Sequence, residues 1–178
     1  MLLLNIPETE LYDEVRNEIT FVKKQTLVLE HSLLSLSKWE SKWHKPFLSK
    51  KEKTDEETID YIRCMAVNTV DDSVFQCLTP IMIGQINTYI QDSMTATTVP
   101  NDKSKTNHEI VTAELIYYWM VALRIPFECQ KWHLNRLLTL IDVCSIKSQP
   151  PKKMSQRALL SRNASLNAAR RRALHSKG

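Results

Sequence analysis

Glu114–Cys144 reads ELIYYWMVALRIPFECQKWHLNRLLTLIDVC, and its apolar spacing decides the fold. Starting from Asn107, the residues Ile110, Val111, Leu115, Tyr118, Trp119 and Ala122 fall on overlapping helical faces. That pattern predicts a helix buried over much of its circumference. Ile125-Pro126 breaks it, because proline lacks the amide hydrogen a helix needs. Leu134, Leu137, Leu138, Ile141 and Cys144 form a second stripe, over about Phe127–Ile146. So short a connection predicts an antiparallel helix pair. Pro150-Pro151 then stops the chain and is read as a domain boundary.

Upstream, the pattern changes period. Leu2–Ile6 is apolar and ends at Pro7, while Ile19–Lys23 and Thr26–Glu30 are rich in β-branched residues and leucine. These segments read as two or three antiparallel strands, the last two joined through Lys23-Lys24-Gln25. A helix over Glu8–Phe21 is the alternative, since Leu11, Val15 and Glu18 have helical spacing. Ser35 or Ser37 is expected to cap a helix carrying Leu36, Trp39 and Trp43, ended before Pro46. Thr54-Asp55-Glu56-Glu57 has the form of a capping box, followed by Ile59, Ile62, Met65 and Ala66 at helical spacing. A short helix is expected near Asp71 or Asp72. Another begins at Thr79-Pro80, with Ile83, Ile86, Tyr89 and Ile90 on one side. Asp92–Asn107 reads as an exposed loop.

Charge divides the chain in two. It carries 24 Lys and Arg against 20 Asp and Glu. Nine of the basic residues and none of the acidic ones lie in 147–178, which leaves 15 basic against 20 acidic before them. The body is therefore about −5 and the tail +9. Such asymmetry points to a tail that meets an acidic surface, protein or nucleic acid. Within it, Leu159, Leu166 and Ala173 recur every seven residues, with Arg162 read as lying away from them. A helix there would order against a partner, because packing supplies most helix stability. Arg157, Leu159, Arg162, Leu166, Arg170, Arg171 and Arg172 are the candidate partner-binding residues.

Other features are weaker. With only Gly84 and Gly178, the chain has no GxxxxGK or GxGxxG phosphate loop. Cys64, Cys77, Cys129 and Cys144 include no CxxC pair and read as reduced thiols. MLLLNIPETE has no basic n-region or small-residue cleavage site, so it is not read as a signal peptide. No run reaches the ~18–20 apolar residues of a membrane span, and a reducing intracellular compartment is expected. Cys129 and His133 at i, i+4 have the spacing for a nucleophilic pair or two zinc ligands, but no second ligand pair completes a site. His31 and His44 read as structural or surface groups, and Glu8, Glu10, Asp13 and Glu14 as a solvated acidic face. Lys38, Trp39, Lys42 and Trp43, with Lys45 beside them, form a secondary candidate patch for base stacking. Against that stands the plainer reading of core tryptophans with snorkelling lysines. No catalytic residue, metal set or cofactor site is assigned.

Several strings carry a resemblance: LEHSLLSLSKWESKWHKPFLS, EETIDYIRCM, MTATT, the 114–144 stretch and QPPKKMS. Over about residues 27–155 the chain resembles proteins of the tail module of tailed bacteriophages, in particular tail assembly chaperones. The resemblance implies a non-enzymatic role. It implies binding to the tape-measure protein until tube subunits displace the chaperone, in the host cytoplasm, with a place in the virion as the variant. It supplies no catalytic residue.

The expected fold is α+β and mostly α-helical, with a small N-terminal antiparallel β element over 1–30. A helical domain over 31–149 and a basic C-terminal tail over 150–178 complete it. The expected function is structural assembly through protein–protein contacts in a phage tail, as a homo-oligomer and away from membranes. A nucleic-acid-binding packaging or regulatory protein using the basic tail is the alternative.

Overall fold

Residues 2–13 and 18–29 supply four strands in two antiparallel pairs. The computed structural model describes residues 1–13, 18–99, 110–148 and 155–174. β1 (Leu2–Ile6) pairs antiparallel with β4 (Gln25–Leu29), and β2 (Thr9–Asp13) with β3 (Glu18–Val22). Ile6 faces Gln25 and Thr9 faces Val22, so register is kept across the two-residue breaks at Pro7-Glu8 and Lys23-Lys24. The inward face changes phase there, from Leu4 and Ile6 to Leu11, and from Leu27 and Leu29 to Val22. Pro7, which cannot donate to a ladder, suits that break. The expected strands at 2–6, 19–23 and 26–30 are therefore present. The last two, however, belong to different ladders, and the Lys23-Lys24 link is a bend. The helical alternative over Glu8–Phe21 is overturned by β2 and β3; its Val15 lies outside the described residues.

α1 (Leu33–Trp43) starts one turn earlier than Ser35 or Ser37 would place it. Its cap is Ser32, whose Oγ accepts from Ser35 N–H while Ser35 Oγ accepts from Ser32 N–H. The choice is tertiary: Ser32 bridges to His133, and Leu134 N–H donates to the His31 carbonyl at 2.8 Å. α2 (Asp55–Met65) begins with the Thr54–Glu57 capping box that its sequence spells. α3 (Ser73–Gln76) and α4 (Pro80–Gln91) follow, the latter capped by Thr79 Oγ1 with Pro80 in its first turn. Residues 92–99 have no regular structure, and the rest of the expected loop, 100–107, is outside the described residues.

α5 (Ala113–Ala122) is capped by Thr112, and Ile110–Thr112 are not helical. The start expected at Asn107 lies outside the described residues. Only Ala113, Ile116 and Met120 are buried along α5, while Tyr118 and Val121 are exposed. Its apolar circumference is thus buried on one stripe. A 3₁₀ turn over Phe127–Lys131 precedes α6 (Leu134–Ser148), so the second helix begins seven residues later than read. α5 packs on α1, and the pair shares its core with that earlier helix instead of closing on itself as a hairpin.

Two apolar clusters result. One joins the inner ribbon face and Trp39 to Tyr61, Ile62, Met65, Phe75, Ile86 and Tyr89. The other joins Leu33 and Leu36 to Ile116, Met120, Leu134, Leu137 and Ile141. α1 contributes to both. Its buried Glu40 carboxylate accepts from Phe47 N–H at 2.8 Å and from Ala113 N–H at 2.7 Å, tying α1 to the first residue of α5. The β ribbon and these helices belong to one compact unit, Met1–Ile146. The second unit, Lys147–Gly178, contains α7 (Gln156–Ala173). Pro150-Pro151 lies outside the described residues. The fold is α+β and mostly helical.

Candidate functional site

α7 has the composition of a helix able to form without a core. Alanine, leucine and arginine are strong helix formers. Ser155 Oγ accepts from Ala158 N–H at 3.2 Å as the cap. Arg170, Arg171 and Arg172 fall in the last turn, where the helix dipole favours positive charge. No residue of α7 is buried.

Helical geometry sorts the candidate residues. Leu159 and Leu166 stand two turns apart on one side. Arg162 is three residues from the first and four from the second, so it borders the stripe and does not lie away from it. Arg170 follows Leu166 at i+4, on the other side of the stripe from Arg162. Arg157, Arg171 and Arg172 point around the remaining circumference. Leu160 is also exposed, which widens the apolar side beyond the every-seventh pattern. The surface therefore offers apolar contact flanked by guanidinium groups, which carry charge at any physiological pH and bind carboxylates in a bidentate fork.

The secondary patch does not assemble as a stacking platform. Trp39 is 1% exposed, its indole N–H donating to the Glu57 carbonyl, so it offers no ring face to a base. Trp43 is half-buried and stacked on Trp39 with centroids 6.1 Å apart, and it donates to Asp60 Oδ2 at 2.8 Å. Lys42 is ion-paired to Asp60 and Lys45 to Glu57. Burial pushes the Asp60 carboxyl up, but donation from Lys42 and Trp43 outweighs it and holds the group below its usual value. The Lys45 ammonium and the Thr54 amide hold Glu57 low in the same way. The lysines are thus partly neutralised by the body itself.

A buried polar cluster escaped the sequence reading. His31 and Tyr61 are hydrogen-bonded at 2.6 Å, and the His31 and His133 rings meet edge-on with centroids 5.0 Å apart. His133 Nε2 lies 3.0 Å from the Tyr89 carbonyl, which only accepts, so Nε2 carries the proton. Its Nδ1 is buried without a partner. Burial, and then the charge of His133, lowers the His31 pKa to about 3, and burial lowers that of His133. These residues are 102 positions apart in sequence, and no local signal links them. Cys129 and His133 do not share a helix face: Cys129 sits in the middle of the 3₁₀ turn and His133 lies beyond its end. Burial pushes the Cys64 and Cys77 thiols up, away from the reactive thiolate. Among the described residues, no three His, Cys, Asp or Glu groups converge to hold a metal, and no helix is long and apolar enough to cross a membrane.

Comparison with protein families, with curated proteins and with solved structures finds no match for the chain.

Proposed function

We propose that this protein works by contact and not by chemistry, as an assembly factor of a phage tail whose binding element is α7. The observation that carries the reading is an 18-residue helix with exposed leucines, five arginines, no acidic residue and no buried side chain. A helix of that kind has its apolar contacts still to make. The buried histidines and the thiols with raised pKa values support a non-enzymatic role. The partner that fits is an acidic, partly apolar protein surface, such as that of a tape-measure or tube protein or of another copy of the chain. In this reading the protein acts in the host cytoplasm during assembly.

The test is affinity capture from cells infected with the phage that encodes the chain. Full-length protein, a 1–151 truncation and an Arg170→Gln, Arg171→Gln, Arg172→Gln variant are compared, with and without nuclease. The expected result is tail proteins captured by the full chain regardless of nuclease, fewer by the triple variant and none by the truncation. Loss of every partner on nuclease treatment would replace this reading with nucleic-acid binding, which the exposed arginine run favours.

A further inference from the structure

Among the described residues, the outward face of the β2–β3 ladder carries three large exposed apolar groups in register. Glu10 pairs with Phe21 and Tyr12 with Ile19, and paired residues share a face. Phe21 is 66% exposed, Tyr12 59% and Ile19 57%. The opposite face carries Leu11 and the buried Val22, so this ladder is already anchored and its outer apolar groups are surplus to the core. In sequence, residues 8–22 hold five acidic groups against one arginine. Glu8 and Glu10 are exposed within it.

We infer that this face receives α7 of a second copy. The charge signs match: α7 brings five arginines without an acid, and the ladder presents Glu10 on this face, with the exposed Glu8 just before β2. The chemistry matches too, since Leu159 and Leu166 offer apolar contact for Phe21 and Ile19, and Arg162 and Arg170 flank them. Guanidinium groups beside Phe21 and Tyr12 gain cation–π attraction as well. The contact joins two different surfaces, so it is heterologous, and repetition gives a ring or an open series of copies. This inference rests on α7 being the binding element and adds the identity of one partner.

Sedimentation velocity on full-length chains tests it with two variants. Variant R changes the ladder (Ile19→Asp, Phe21→Asp), and variant H changes the helix (Leu159→Asp, Leu166→Asp). All four sites are exposed, and far-UV circular dichroism with a thermal melt checks that each folds. Wild type is expected to associate at low salt and to dissociate at about 1 M salt, where the screening length is about 3 Å. R and H alone are expected to be monomers. An equimolar mixture of R and H should form a heterodimer, because R retains the helix and H retains the ladder. Glu10→Lys is expected to weaken wild-type association without new bulk. Monomeric wild type in every condition overturns the inference, as does an R–H mixture that stays monomeric. If R associates like wild type while H does not, α7 remains the binding element and the ladder is the wrong partner. If H associates like wild type, the reading of α7 falls as well.

Discussion

α1 and α7 are both regular helices, and they show two ways for a segment to be helical. α1 has 11 residues, a reciprocal serine box and five buried side chains, three of them in the two apolar clusters. α7 has 18 residues, one serine cap and no buried side chain. α1 contains three serines and two tryptophans, and the rest of the unit packs on it. α7 is the reverse: its helix comes from propensity, capping and dipole, each a local effect of a few tenths to about one kcal/mol. A segment held only by local effects is free to spend its surface on another molecule.

The sharpest way to break this comparison is to cut equal side chains from the two regions. Leu137→Ala, in the cluster that α1 shares with α6, should lower unfolding free energy by ~2–5 kcal/mol in urea titration. Leu138→Ala should cost less, since that side chain is half-buried. Equal small losses at both would mean that α6 is not core.

Glu40→Ala is the next largest effect. It leaves the Ala113 and Phe47 amides without their acceptor, at about 1–3 kcal/mol of stability. Hydrogen exchange should then rise at Ala113. An unchanged exchange rate there would show that α5 does not depend on α1 for its start.

Acid should act on the unit that contains α1 and leave α7 helical. His31 is neutral in the fold down to about pH 3, whereas an unfolded histidine takes a proton near 6.5. Between those values the unfolded state binds the extra proton, so stability present above about pH 6.5 is lost as pH falls. His31 alone contributes a loss of about 2 kcal/mol by pH 5, at 1.36 kcal/mol per pH unit. His133 acts with the same sign. Glu57 and Asp60, held low by their lysines, add to the loss only below their ordinary carboxylate range. Urea titrations at pH 7.5 and 5 check the slope, and a His31→Gln variant should flatten it.

Leu166→Ala is the smallest effect. As an exposed position it should change unfolding free energy by less than about 0.5 kcal/mol.

Local physics was legible in the sequence. The Thr54 box and the Thr79-Pro80 start could be read because cap and partner lie within four residues of each other. The apolar strands at 2–6 and 25–29 were visible for the same reason. β2 was not, because Thr9–Asp13 is polar and is a strand only through its pairing with β3. Ser32, Ser35 and Ser37 compete locally as caps, and the choice of Ser32 depends on its bridge to His133. The circumference of α5 was misread because apolar spacing shows which residues are alike and not which are covered; Tyr118 and Val121 look like core and are exposed. Of the proposed surface, the residues of α7 were read from charge and spacing. The outer face of β2–β3 stayed hidden as long as that stretch had a helical alternative.

The tie between His31 and Leu134 also sets a timetable for synthesis. Every buried member of the first cluster has been synthesised once Ile90 is made, but Leu33 and Leu36 wait for α5 and α6. Translation at about 5–20 residues per second puts on the order of 2–9 seconds between Tyr89 and Leu134. During that interval the nascent chain carries α1 with one edge settled and the other bare. Each new molecule passes once through a brief stage that shows a holdase chaperone an apolar helix edge that the finished protein no longer shows.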